Sequence, residues 1–381
     1  MAQAFFGGVH PHDMKAATNE KAIEQLAPPA VVVIPMSMHF GAPCTPLVKA
    51  GDHVKVGQKI GEFHGLGAPI HASVSGTVKA VEPRPYSMGG NITSVVIEND
   101  MQDEVSEEVQ APADPNALSV EEMVEIVKNA GIVGMGGATF PTHVKITSGI
   151  GKVNTVIING AECEPYITGD HRTMLERPEE IIGGAKFLAK MFGVDKVVIG
   201  VEDNKRNGID AMNKVIAEQK APVVVEPLRC RYPQGGEKQL CQAITGRQVP
   251  PGGLPADIGC AVFNINTTCA IYRALTTGMP VVRKIVTVSG SGVVEPKNLE
   301  CPIGTPVSSL LDACGGLKDG TYKLIAGGPM MGMAQYTADI SVAKGTGAIL
   351  AFCENEEKTV ENPQCIRCGK CVSRSEERRV G

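Results

Sequence analysis

Glycine and proline recur so densely in this chain that no regular element can run far. The 44 Gly and 26 Pro make up 70 of 381 residues, about 18% against a usual ~12%. Glycine frees the backbone and proline removes a donor, so this punctuation favours short strands, turns and shaped loops over long helices. Even a long apolar run, AVVVI at 30–34, is strand-sized. That is far below the ~20 residues of a membrane span. The start, MAQAFFGGVHP, lacks the charged region and apolar core of a signal peptide. A cytosolic chain is expected, with any membrane contact made through partners.

The length predicts two to four domains. A net charge of −5 with 20% charged residues shows no basic excess, so nucleic acid is not an expected partner. Trp is absent and aromatics are 4%, so any stacking platform must use few residues. Twelve cysteines in a cytosolic chain point to metal or cluster ligands rather than disulfides.

The organisation is that of an α/β multidomain protein. Residues 30–98 read as short strands turned at glycines, and the spacing resembles the flattened barrel of biotinyl and lipoyl carrier domains. Those domains carry a modified lysine at a hairpin tip. The matching stretch, Gly65-Leu66-Gly67-Ala68-Pro69-Ile70, has no lysine, so the barrel-sandwich of residues 1–100 is expected without a carrier function. An acidic, Pro-containing linker follows at 101–117. Ser119 then caps a helix to Ala130, with Glu122 three residues on and Val120, Met123, Val124 and Val127 as the apolar stripe. Strands at 155–158, 196–200 and 223–228 alternate with helices at 178–192 and 207–219. This alternation predicts a Rossmann-like, mostly parallel sheet over 115–280, with ligands at the strand carboxyl ends. Residues 281–352 read as a hairpin, a Thr305-capped helix and the strand YKLIAGGP, a small β-grasp domain. A cysteine segment closes the chain at 360–381.

Four loops carry chemistry. Residues 131–145, GIVGMGGATFPTHVK, crowd glycines around one phenylalanine, yet match neither the dinucleotide fingerprint nor the Walker loop. Alone, such a loop is as easily a simple turn. Asn159-Gly160-Ala161-Glu162-Cys163-Glu164-Pro165 follows an apolar strand, where ligand crevices lie. Tyr232-Pro233-Gln234-Gly235-Gly236-Glu237 opens onto a helix, and Asn264-Ile265-Asn266-Thr267-Thr268 is the fourth.

Together these loops resemble the flavin-binding subunit of respiratory complex I. More closely, the chain from about residue 5 to 372 resembles the RnfC family, found in the Rnf ion-translocating electron-transport complex. That likeness rests on Phe6–Pro11 with Lys15, on His39-Phe40-Gly41-Ala42-Pro43, on APIHASVSGTVKAVEP and on GGATFPTHVK. It implies an SLBB-type β-grasp domain and FMN and NAD(H) as cofactors. Gly134, Gly136, Gly137 and Ala138 would meet the FMN phosphate through their N–H groups, with Lys145 as the cation. Asn159, Glu162, Asn264 and Thr267 would reach the ring and ribityl chain. Phe140 would stack on the nucleotide, Glu164 and Glu237 would border it, and Gly235 would line the cofactor site. The implied activity is electron transfer between NAD(H) and ferredoxin-side carriers, at the cytoplasmic face of the plasma membrane, beside partner subunits that move ions. A cobalamin reductase of the same architecture and a non-catalytic scaffold with a vestigial flavin loop are the competing readings. Phe140 could instead be a core anchor and Glu164 a solvated turn residue.

Cys365, Cys368 and Cys371 form C-x-x-C-x-x-C, the run by which ferredoxins hold a 4Fe-4S cluster. The expected fourth cysteine position is Ser375, and no second motif follows. The segment therefore offers three of the four thiolates of one cluster, with Cys353 the nearest further thiol.

Overall fold

A computed structural model describes residues 7–354 together with Phe5 and Gly369. The cysteine motif therefore lies outside the described residues. The first short strand, β1 (Ile23–Gln25), does not join the barrel that follows it. The barrel is two facing sheets. One has the order β2 (Val31–Pro35), β8 (Asn91–Asn99), β7 (Gly76–Pro85) and β4 (His53–Val54). The other runs β3 (Thr45–Pro46), β5 (Lys59–Glu62) and β6 (Ile70–His71). Alternate residues Val32 and Ile34 point inward and are fully buried, as a two-residue side-chain period demands. The hairpin tip that carrier domains project is here turned inward, with Gly67, Ala68 and Pro69 all buried. Residues 101–117 are not a free tether: Val105 bridges to Val56 and Ser106 donates its N–H to the Val56 carbonyl at 2.9 Å.

The α/β unit starts with α1 (Val120–Asn129). Its capping box is complete, with Ser119 accepting from the Glu122 N–H at 3.2 Å and Glu122 from the Ser119 N–H at 2.7 Å. Helix α2 (Thr142–Gly149) follows the glycine loop. Then come β9 (Thr155–Gly160), α3 (Gly169–Glu176), α4 (Pro178–Phe192), β10 (Val197–Glu202), α5 (Arg206–Gln219) and β11 (Val223–Leu228). The unit ends with α6 (Glu237–Thr245), β12 (Cys260–Asn264) and α7 (Ile265–Thr277). The four strands are parallel in the order β11-β10-β9-β12. Helix α4 meets α7 closely because it presents Gly183 and Gly184. A Cβ on Gly183 would stand 2.4 Å from the Tyr272 ring, and one on Gly184 2.3 Å from the Thr268 carbonyl. A single apolar core runs from Val32 and Ile60 of the barrel to Ile158 and Ile199 of this sheet.

The last unit has its own core around Val286, Val288, Leu310 and Ile349. Its strands are β13 (Arg283–Ser289), β14 (Lys297–Pro302), β15 (Thr321–Ala326), β16 (Met333–Gln335) and β17 (Ala348–Cys353), with α8 (Val307–Ala313). Strands β13 and β14 form the expected hairpin, and β17 runs parallel to β13, a β-grasp arrangement. Strand β1 completes this sheet by pairing with β14, so the sheet order begins with residues near the amino end. The expected Thr305 cap is corrected by the structure. Thr305 turns its hydroxyl to the Pro302 carbonyl at 2.7 Å, and α8 starts after Pro306 with no side-chain cap.

One ammonium ties the three units together. Lys344, almost wholly buried, donates to the carbonyls of Pro69 in the barrel hairpin and Gly131 ahead of the glycine loop, both at 2.7 Å.

Candidate functional site

In an open parallel sheet a crevice forms where successive strands step off in opposite directions. Here that point lies between β9 and β12: from β9 the chain steps to β10 and β11 on one side and then to β12 on the other. The strands end in register at Asn159 and Asn264. Both asparagines line a cavity of about 520 Å3, within the ~300–1,000 Å3 usual for small-molecule sites.

The glycine loop forms one wall. It is closed by the Gly134 N–H on the Phe140 carbonyl at 2.9 Å. The Met135 N–H donates to Thr267 Oγ1 at 2.9 Å, which pins the loop to the first turn of α7. Gly136 has to be glycine here, since a Cβ would stand 2.8 Å from Asn264 Nδ2. At Gly137 a Cβ would meet nothing within 4 Å, so that backbone is open to a ligand. Lys145 Nζ reaches over from α2. It donates to Glu237 Oε1 at 2.7 Å and the Val262 carbonyl at 3.0 Å, and sits 5.8 Å from the centre of the Phe263 ring. Asn159 donates to the Gly235 carbonyl at 2.8 Å. The cavity wall thus gathers Gly134, Gly136, Gly137, Ala138, Phe140 and Lys145 with Asn159, Gly235, Glu237, Asn264 and Thr267.

Two expected contacts stand elsewhere. Glu162 is outside the wall; its buried carboxylate accepts the N–H groups of Asp170 at 2.6 Å and His171 at 3.2 Å, at the start of α3. Burial pushes its carboxyl up, against the pull of Lys15 and Lys205. Glu164 is also outside the wall and accepts the Met330 N–H at 3.0 Å. Lys15, from the amino-terminal motif, holds this turn from beneath. Its buried ammonium donates to the carbonyls of Glu162 and Glu164, both at 2.9 Å, and to that of Ile167. Cys365, Cys368 and Cys371 lie outside the described residues. Cys353 lies within them, and its thiol meets Thr321 Oγ1 at 3.9 Å. Among the described residues no group of three or more His, Cys, Asp or Glu side chains is arranged to hold a metal.

Further residues stand at the site: Phe40 belongs to a stretch that carries the family likeness, while Asp170 and Lys284 carry no sequence pattern. Phe40 lies on a barrel loop whose N–H donates to the Thr139 carbonyl at 3.0 Å. The residue is 57% exposed and its ring centre lies 6.0 Å from that of Phe140, so two aromatic rings stand together at this loop. Asp170 lies behind Asn264, accepting from Asn264 Nδ2 at 2.8 Å and Asn266 Nδ2 at 2.5 Å. Burial, then the neighbouring Glu162, pushes its carboxyl up to about 6. Buried Lys284 donates to the Met135 carbonyl at 3.1 Å, and burial brings its ammonium down to about 8.

Known proteins share this arrangement. Residues 3–102 match the family model of the RnfC barrel sandwich hybrid domain, 127–273 that of the Nuo51 FMN-binding domain and 285–334 that of the SLBB domain. Over 370 residues the chain is 46% identical to the C subunit of the Na(+)-translocating ferredoxin:NAD(+) oxidoreductase complex of Acetobacterium woodii, spanning 97% of this chain and 83% of that protein. The chain belongs to the RnfC family. The C subunit of the proton-translocating ferredoxin:NAD(+) oxidoreductase complex of Clostridium ljungdahlii is 44% identical over 374 residues, covering 98% of this chain and 81% of that protein. An NAD+-reducing NiFe-hydrogenase in its H2-reduced state shares the fold, with a TM-score of 0.52 at 20% identity over 64% of this chain and 48% of that one. The Nuo51-type match holds the glycine loop, Asn159 and Asn264, so the matched domain and the cavity coincide in this RnfC-family chain. Among the described residues no helix is long and apolar enough to cross a membrane.

Proposed function

We propose that this RnfC-family protein binds FMN in the cavity between β9 and β12 and passes electrons to or from NAD(H) there. It would exchange them with ferredoxin-side carriers as a peripheral member of its complex on the cytoplasmic face of the membrane, while partner subunits move ions. A single observation carries the reading: eleven residues from four separated loops, each expected at the flavin or at the nicotinamide nucleotide beside it, line one cavity. The cavity fits the group. Open backbone at Gly137 and the Lys145 ammonium suit a phosphate, and the side-chain amides of Asn159 and Asn264 suit a ring edge. The flavin, when bound, supplies the hydride and single-electron chemistry.

The residues divide the remaining work. The glycine loop and Lys145 bind the phosphate, which draws the ammonium from Glu237. Thr267 holds the loop in place through the Met135 N–H. Phe140, with Phe40 beside it, offers the nicotinamide nucleotide an aromatic surface. Glu162 supports the wall by fixing the start of α3, and Glu164 shapes its approach through the loop at Met330. Cys365, Cys368 and Cys371 would give three thiolates to an iron–sulfur cluster.

Flavin titration of the purified chain tests the reading. One FMN is expected per chain, followed by quenching of flavin fluorescence. Gly137→Val places a side chain at the cavity wall where the fold has room for it. It should abolish binding while leaving the thermal unfolding midpoint unchanged. Unaltered flavin stoichiometry in this variant would exclude the assignment.

A further inference from the structure

A second cavity, of about 470 Å3, shares a wall with the first. Gly134 and Gly136 line the first cavity, while Met135 between them lines the second. Its floor is apolar, formed by Val281, Val282 and Ile285 from the entry to β13 and by Ala270 of α7. Its charges are unequal. Two carboxylates, Glu180 and Glu300, face Arg273, Arg283 and Lys284. Each carboxylate already has a cation of its own. Arg273 Nε donates to Glu180 at 2.7 Å. Glu300 accepts both Nη groups of Arg177, which, despite burial, hold its carboxyl down at about 2. Lys284 is opposed by Asp170 from α3 and stays with the Met135 carbonyl. Arg283 is the cation left over. It gives one Nη to Gln25 Oε1 at 2.9 Å and to the Glu300 carbonyl at 3.4 Å. A guanidinium has five N–H donors in a fork matched to oxyanions, so Arg283 keeps donors beyond these contacts. Arg273, 3.7 Å from Glu300, does too.

We propose that this cavity is a second ligand site, for a small organic anion. A carboxylate or phosphate head would meet Arg283 and Arg273, and an apolar body would lie on Val281, Val282 and Ile285. The site goes beyond the flavin reading and stands without it, because none of these residues lines the first cavity. The two sites are nonetheless mechanically joined. The Met135 peptide is held on one side by Lys284 and on the other by Thr267, so a ligand in one cavity bears on the wall of the other.

Isothermal titration calorimetry of the full chain with phenyl phosphate and with phenylacetate tests this, since the probes share a body and differ in the head. Saturable one-to-one binding of at least one is expected, and the tighter probe identifies the head. Arg283→Gln should weaken binding about tenfold, the loss of one charge-assisted contact. Ala270→Phe, which fills the cavity without removing a charge, should abolish it. Thermal unfolding checks that each variant is folded, and the second variant serves if the first is not. Absence of saturable binding of either probe up to about 10 mM, a ~3 kcal/mol floor, would overturn the proposal. Binding that survives both substitutions would overturn it too.

Discussion

At the scale of single residues, the cavity is set by which polar groups are already committed. Lys145 supplies a cation to the cavity wall beside the glycine loop, yet Glu237 holds it at 2.7 Å. The two side chains are 32% and 40% exposed, so the pair is weak and an arriving phosphate can displace the carboxylate. Lys145→Met should therefore weaken FMN binding about tenfold or more, the worth of a charge-assisted contact. Glu237→Gln should tighten it, because the ammonium is released. Dissociation constants from fluorescence quenching decide: weaker binding in Glu237→Gln would make Glu237 a flavin contact rather than a competitor. These residues were expected from the resemblance to the RnfC family, because the glycine-rich loop taken alone matches neither the dinucleotide nor the Walker spacing. Asp170 and Lys284 were not. Each acts through a neighbour, Asp170 on Asn264 and Lys284 on Met135, and no local pattern marks a side chain that is useful only by where another element brings it.

At the scale of elements, strongly patterned segments were readable and weakly patterned ones were not. Helix α1 declares itself by Ser119, Glu122 and an apolar stripe, and its observed bounds differ from the expected ones by a residue. Ser119→Ala removes the acceptor for the Glu122 N–H. It should cost about 1 kcal/mol of stability, read as a lower urea midpoint with an unchanged slope. An unchanged midpoint would mean that burial of Met123 and Val127 alone fixes the helix start. Helices α2 and α3 went unread because their sequences, THVKITSG and GDHRTMLE, are short and carry little apolar periodicity. Tertiary contact forms them, as in the Gly149 turn packed under Phe192. The Thr305 cap failed for a related reason: a threonine before a helix can equally close its own turn, and here the Pro302 carbonyl is within reach.

At the scale of the whole molecule, the barrel, the α/β unit and the β-grasp were each foreseeable, whereas the contacts joining them were not. Lys344 shows why. In sequence it is one lysine between two short apolar runs, and in the fold it bridges two other units from a buried position. Burial brings its ammonium down to about 7 from an ordinary 10.5. Between those values the unfolded chain holds the proton and the folded chain does not, so this residue makes stability rise with pH across that window and costs most below it. Lys344→Met should remove that part of the rise. Urea midpoints at about pH 7 and about pH 9 should diverge more in the natural chain than in the variant. Equal divergence in both would mean that the ammonium stays charged in its cage of carbonyls.

The pairing of β1 with β14 has a consequence for biosynthesis. Gln25 and its partner Glu300 are 275 residues apart in sequence. At ~5–20 residues per second of translation, β1 leaves the ribosome about 15–55 s before the strand it joins exists. Until then the amino-terminal strand has no partner to pair with. The order of emergence therefore makes the β-grasp the final unit to close, and the barrel and α/β core must already be sound enough to wait for it.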